Sequence, residues 1–134
     1  MTEAAKIQAF LEGSRFAVVG ASANREKYGN KVLRVYQQNQ LDVVPVNPSG
    51  GEIEGLAAYP DLPSIPGTID GVSIITPPKV TEQVVAQALS LGIKNIWMQP
   101  GAESAEAVEL AEAAGANVIA GGPCILVSLH FRDV

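Results

Sequence analysis

Phe16-Ala17-Val18-Val19-Gly20-Ala21-Ser22-Ala23-Asn24-Arg25-Glu26-Lys27-Tyr28-Gly29 is the stretch that decides the fold. An apolar run ends on a glycine, and a short polar loop rich in small and cationic residues follows. Asn30 to Gln38 then reads as a helix that starts near Tyr28–Gly29. Strand, glycine and helix in this order present backbone N–H groups and a helix N-terminus to a phosphate. The bland alternative is a tight turn between a strand and a helix; the loops farther along the chain favour the phosphate reading, because they leave from the same place.

Working outward, Thr2 to Glu12 reads as a short helix with Thr2 as N-cap, stopped by Gly13-Ser14 and packed over a sheet edge. Phe16–Val19 is apolar without alternation, as expected of a strand covered on both faces. In the helix after the loop, Val32, Leu33, Val35 and Tyr36 point to the sheet, while Lys31, Arg34, Gln37 and Gln38 are expected to be more exposed. Leu41–Val46 is the second strand and ends in the turn Asn47-Pro48-Ser49-Gly50-Gly51. Residues 52–68 carry Pro60, Pro63 and Pro66; they read as a connection with one short edge strand near Leu56–Tyr59.

Gly71–Ile75 is the third strand and runs into Thr76-Pro77-Pro78, a rigid exit that walls a ligand crevice. Lys79–Leu91 is an amphipathic helix with Val80, Val84, Val85, Ala88 and Leu89 inward, closed by Gly92. Asn95–Met98 is the fourth strand, followed by Gln99-Pro100-Gly101 and a helix over Glu103–Ala114. Asn117–Ala120 is the fifth. The last apolar segment, Ile125–Leu129, reads equally as strand or helix. Strands alternating with helices predict an α/β fold: a three-layer, Rossmann-like, doubly wound parallel sheet of five strands in the order 3-2-1-4-5, one domain over 1–134. Ligands bind such sheets at the carboxyl edge, here between strands one and four.

Composition narrows the function. The chain has 134 residues, 47% apolar and 17% charged, with a net charge of −5, which disfavours nucleic acid as a partner. A small anionic ligand needs only a local patch, which Arg25, Lys27, Lys31 and Arg34 supply. One cysteine, Cys124, excludes an intrachain disulfide, and one histidine, His130, excludes a Cys/His zinc cluster. No stretch resembles a signal peptide or a membrane span, so a cytoplasmic protein is expected. Glu103, Glu106, Glu109 and Glu112 read as a solvated helix face. Cys124 and His130 are the one candidate Cys–His pair; a core cysteine and a packed or surface histidine are the expected reading. Ser22 lacks the G-x-S-x-G setting of a nucleophile and reads as a phosphate donor. No catalytic residue is assigned.

Gly20-Ala21-Ser22, Val46-Asn47-Pro48, Thr76-Pro77-Pro78 and Gln99-Pro100-Gly101 come in this order at successive strand ends. In that ordered set the chain resembles the small stand-alone CoA-binding proteins, which share the fold of the N-terminal domain of the succinyl-CoA synthetase alpha subunit. The resemblance implies coenzyme A or acyl-CoA as ligand. It implies that Gly20, Ala21, Ser22, Asn24 and Arg25 hold the phosphates, with Lys31 as a supporting basic residue. Val46, Asn47 and Pro48 would line the adenine and ribose side, Thr76, Pro77 and Pro78 the pantetheine or adenosine, and Gln99 and Gly101 the thiol end. The synthetase's second domain, which carries its phosphorylated histidine, has no counterpart here, so ligase activity is not implied. Two other readings stay open. An NAD(P)-binding protein or oxidoreductase is opposed by the absent G-x-G-x-x-G and by the lack of an acid at Val46-Asn47-Pro48. The other is an interaction or scaffold protein that binds no nucleotide. A homodimer is admitted, because the apolar C-terminal segment needs cover.

Overall fold

The computed structural model describes residues 1–134. Helix α1 (Glu3–Leu11) starts at Thr2, whose Oγ1 accepts from Ala5 N–H at 3.1 Å. There follow β1 (Arg15–Val19), α2 (Tyr28–Gln38), β2 (Asp42–Val46), the hairpin strands β3 (Glu52–Ile53) and β4 (Leu56–Ala57), and a 3-10 turn at Leu62–Ser64. The second half carries β5 (Gly71–Ile74), α3 (Pro78–Ser90), β6 (Asn95–Met98), α4 (Ala105–Ala113), β7 (Asn117–Ile119) and α5 (Ile125–Ser128). The segment that read equally as strand or helix is thus a short helix. No helix is long and apolar enough to cross a membrane.

The principal sheet has five parallel strands in the order β2-β1-β5-β6-β7. Counted as the five strands expected from the sequence, this is 2-1-3-4-5, a correction to 3-2-1-4-5. The reason lies in residues 52–59. Tyr59 N–H donates to Pro45 O at 3.1 Å, and Asn47 N–H donates to Tyr59 O at 2.9 Å. This single parallel bridge occupies the free edge of β2, where a third strand would have gone. The Gly71–Ile74 strand pairs instead with the other edge of β1, Phe16 opposite Gly71 and Val19 opposite Ile74. The switch point therefore lies between β1 and β5. The chain leaves β1 toward one face of the sheet and leaves β5 toward the other, which opens a crevice above the two strand ends.

Successive side chains of β1 serve different cores. Phe16 and Val18 join α1, α2 and α5, while Ala17 and Val19 join α3 and α4. On the first face Phe10 stacks on Phe16 at 5.4 Å and meets Trp97 edge-on at 5.3 Å, and Phe16 leans on Tyr36 at 5.2 Å. Such pairs each contribute about 0.5–1.5 kcal/mol beyond area burial. The Tyr36 hydroxyl meets Ser73 Oγ at 2.7 Å, which satisfies the one polar atom of a fully buried ring. On the second face α3 buries Thr81, Val84, Val85 and Ala88. Val80, expected inward, is instead 42% exposed, because it comes before the first buried turn of α3 and borders the crevice.

Arg34 is a second correction. Expected to be exposed, it is buried at 4%. Its Nε donates to Asn30 Oδ1 at 2.7 Å, one Nη donates to Arg25 O at 3.1 Å, and its guanidinium lies 5.0 Å from the Phe131 ring centre. A guanidinium can be buried when its donors find acceptors and its plane finds an aromatic face.

Candidate functional site

Gly20 is where β1 stops and the crevice begins. Its φ is 98°, and a Cβ there would lie 1.9 Å from the carbonyl oxygen of Ile75. Glycine is required on both counts. Gly20 and Ala21 N–H both point to Val46 O, at 3.2 and 3.3 Å, which pins the turn to the end of β2. Gly29 stands in the first turn of α2, and a Cβ on it would lie 1.9 Å from Gly20 O. The two glycines thus let the start of α2 sit directly against the end of β1. This is the close helix–strand approach that dinucleotide folds obtain from the third glycine of their fingerprint; here a longer loop separates the two positions, so the short motif is absent while its packing is present.

The loop between them is held from within. Ser22 Oγ accepts from Asn24 N–H at 3.1 Å, and Asn24 Oδ1 accepts from Glu26 N–H at 3.0 Å. Asn47 Nδ2 donates to Ala21 O at 2.8 Å while its Oδ1 accepts from Ser49 N–H at 2.8 Å. Asn30 is fully buried and donates to Ser22 O at 2.9 Å and to Glu54 Oε2 at 3.0 Å. These amides brace the loop, and Asn30 spends most of its hydrogen-bonding capacity in doing so, since its Oδ1 also accepts from Arg34.

Two hollows flank the crevice and meet at Thr76. One, of about 220 Å³, is lined by Val19, Gly20, Val46, Pro48, Pro60, Asp61, Thr76 and, from α3, Val80, Gln83, Val84 and Gln87. The other, of about 350 Å³, is lined by Tyr28, Ile75, Thr76, Pro77, Pro100, Gly101 and Ala102. No lysine or arginine lines either one. Their electrostatics come from the backbone. Helices α2 and α3 begin at Lys27 and Pro77 without a side-chain cap, whereas α4 is capped by Ser104. The N–H groups of Tyr28 and Gly29 on α2, and of Lys79 and Val80 on α3, meet no acceptor of the chain. Two uncapped helix starts therefore stand on either side of the switch point, and each favours an anion by roughly 0.3–1 kcal/mol or more.

The residues expected from the sequence fall into three groups. Gly20, Val46, Pro48, Thr76, Pro77 and Gly101 line the two hollows, and Pro78 is the first residue of α3. Ala21, Ser22, Asn24 and Asn47 form the braced loop beside them. Arg25, Lys31 and Gln99 stand apart. Gln99 is fully buried, and its Oε1 accepts from Ile125 N–H at 3.0 Å, so it caps α5. Arg25 donates to the Val134 backbone oxygen at 2.9 Å and lies 3.8 Å from Glu54, while Lys31 lies 4.0 Å from Asp133. Of the expected cationic patch, Arg25, Lys31 and Arg34 gather on the outer side of α2 with Asp133 and Val134 rather than in the hollows, and Lys27 is not among them.

Sequence reasoning missed Tyr28, Pro60, Asp61, Gln83 and Gln87 as lining residues. Tyr28 carried a signal, since it starts the helix after the loop. Its hydroxyl hydrogen-bonds Cys124 Sγ, and burial together with that thiol holds its ionisation above the ordinary phenol range. Cys124 thus pairs with a phenol at the rim of the second hollow, while His130 is exposed at a backbone φ of 57°.

Comparison with known proteins agrees with this architecture. Residues 14–130 match a protein family described as the CoA binding domain. The alpha subunit of acetate–CoA ligase (ADP-forming) II from Pyrococcus furiosus is 30% identical over 129 residues, 87% of this chain but 28% of that subunit. The chain thus spans less than a third of that ligase subunit, and 17% of a related ligase from Archaeoglobus fulgidus. The uncharacterized protein YneT of Bacillus subtilis is 30% identical over 116 residues, 86% of both chains. Among solved structures, a conserved hypothetical protein from Pyrococcus furiosus superposes with a TM-score of 0.81 at 41% identity, covering 87% of this chain and 99% of that one. A hypothetical protein from Pyrococcus horikoshii reaches 0.88 at 32% identity, covering 97% and 90%. The match over residues 14–130, most of the chain, leads to one conclusion: this chain belongs to the CoA binding domain family.

Proposed function

We propose that the chain binds coenzyme A or an acyl-CoA across the carboxyl edge of its sheet and performs no chemistry of its own. The observation that carries this reading is the pair of uncapped helix starts flanking Gly20, in a chain of the CoA binding domain family. CoA is a long, bent ligand with an anionic middle. Its diphosphate suits the free N–H groups of Tyr28, Gly29, Lys79 and Val80, with Ser22 and Arg25 adding donors from the loop. The adenosine would lie in the hollow walled by Val46, Pro48, Pro60 and Val80. The pantetheine would pass Thr76 and Pro77 to the hollow of Tyr28, Pro100 and Gly101, which brings the thiol or thioester to the Tyr28–Cys124 pair. Asn47 would brace the loop with one Nδ2 hydrogen and with Oδ1, which leaves its second Nδ2 hydrogen for the ribose or adenine. A lone free cysteine at the rim of the site fits a reducing, cytoplasmic setting.

The test is the shift in thermal midpoint with CoA, acetyl-CoA, NAD and NADP, each in excess. A ligand at 100 times its dissociation constant adds about 2.7 kcal/mol of stability. The proposal expects CoA and acetyl-CoA to raise the midpoint and the dinucleotides to leave it unchanged. Stabilisation by NAD alone, or by none of the four, overturns it. Arg25→Ala should weaken CoA binding while leaving the unliganded midpoint unchanged.

A further inference from the structure

We propose that the segment Leu129–Val134 is an internal strap that competes with the ligand's phosphate for the cations beside the Gly20 loop. This rests on the CoA reading and adds regulation to the same site. The strap lies along the outer face of α2. Asn39 Nδ2 donates to Leu129 O at 3.0 Å. Gln38 exchanges two hydrogen bonds with the backbone of Arg132, at 2.6 and 2.9 Å, and Phe131 faces the Arg34 guanidinium. These contacts anchor the strap. Its tip then reaches the cations. Asp133 lies 3.4 Å from Arg34 and 4.0 Å from Lys31, and the Val134 backbone oxygen accepts from Arg25 at 2.9 Å and from Arg34 at 3.2 Å. Arg25, Glu26, Lys31, Arg34, Asp133 and Val134 together enclose a hollow of about 290 Å³.

Three features make the tip displaceable while the anchor stays. The Asp133 contacts are long beside the roughly 2.7–2.9 Å of a strong charge-assisted bond, and its side chain is 67% exposed. Arg34 keeps its shorter bonds to Asn30 and to Arg25 O and its contact with the Phe131 ring when Asp133 leaves, so its position is held. Arg25 is carried by the phosphate-facing loop itself, yet its guanidinium is turned to Val134 and Glu54. It can serve a phosphate in the crevice only by giving up these partners. A phosphate in the crevice carries more charge than one carboxylate and offers several acceptor oxygens, so it can draw Arg25 away from the Val134 oxygen and Glu54. Docking of the tip and full engagement of the ligand are then mutually exclusive.

The experiment compares CoA affinity by calorimetry in the wild type, in Asp133→Asn and in Phe131→Ala, with hydrogen exchange across residues 129–134 with and without CoA. Asp133→Asn frees the cations at the tip, and Phe131→Ala loosens the anchor without altering charge in the hollow. Both should bind CoA more tightly, by about fivefold, which corresponds to about 1 kcal/mol. In the wild type, CoA should speed exchange at residues 133–134 and leave the anchored amides of residues 129–132 unchanged. Equal affinity in all three proteins with unchanged strap exchange overturns the strap and leaves the CoA reading intact. Failure of all three to bind CoA overturns both.

Discussion

Replacing Gly29 by alanine sets two physical effects against each other. Glycine in a helix is less favourable than alanine by about 1 kcal/mol, so propensity alone predicts stabilisation. Sterics predict the reverse. The new Cβ would stand 1.9 Å from Gly20 O, 2.9 Å from Gly20 C and 3.3 Å from Ala21 Cα, and the first of these must open to at least 3.0 Å. All three atoms belong to the main chain, so no side-chain rotation relieves the clash. Gly20 is itself held, since it packs so close to Ile75 O that a Cβ on it would lie 1.9 Å away, and its N–H is tied to Val46 O. Overpacking costs about 1–3 kcal/mol in ordinary cores and should reach the upper end against backbone. Net of propensity, Gly29→Ala should lose about 2 kcal/mol, roughly 7 °C of thermal midpoint for a chain of this size. Thermal unfolding followed by circular dichroism reads this directly, and urea titration gives the same quantity independently. The displaced start of α2 should also weaken CoA binding. A midpoint equal to or above the wild type would refute the close approach of α2 to β1 and, with it, the site built on that approach.

Asn47→Ala should cost about 1–3 kcal/mol in urea unfolding by leaving the carbonyl of buried Ala21 without a partner, and should lower CoA affinity through loss of the braced loop. Gln99→Leu removes the acceptor for Ile125 N–H; it should destabilise by about 1–3 kcal/mol and expose Cys124 to thiol reagents faster, as α5 loosens. Tyr28 and Tyr36 are both held neutral beyond the ordinary phenol range, chiefly by burial. The folded state therefore binds protons that the unfolded chain has released, so their contribution is complete below about pH 10 and is lost as pH rises above it. Stability measured from pH 8 to 12 should fall from about pH 10 upward, and Tyr36→Phe should flatten that fall.

Much of the scaffold was readable because apolar runs ended on glycine or proline. Val19-Gly20, Val46-Asn47-Pro48 and Ile75-Thr76-Pro77 marked three strand ends at the crevice, and all three border the hollows. Strand order was not readable: the sequence points to an edge strand near Leu56–Tyr59, but no local pattern says that Tyr59 bridges the free edge of β2. Gly29 was visible as a glycine but looked misplaced for a dinucleotide motif; its meaning comes from the Gly20 carbonyl across the turn. Arg34 looked like a surface charge because its carboxylate partner lies 99 residues away. Separations of similar length concealed that Lys31 faces Asp133 and that Arg25 is turned to Val134. Gln99 sits at a strand end like the other site residues, yet it turns inward to cap a helix that begins 26 residues later. Local pattern thus found the loops, while the orientation of long polar side chains was set by tertiary partners.

The central claim is that CoA lies across the β1–β5 switch point with its diphosphate on the two uncapped helix starts. A crystal structure of the chain with CoA tests it most directly. The account predicts the diphosphate within hydrogen-bonding distance of the N–H groups of Tyr28 and Gly29, with the adenosine and the pantetheine in the two hollows that meet at Thr76. CoA bound elsewhere on the surface, or its diphosphate remote from both helix starts, would contradict it.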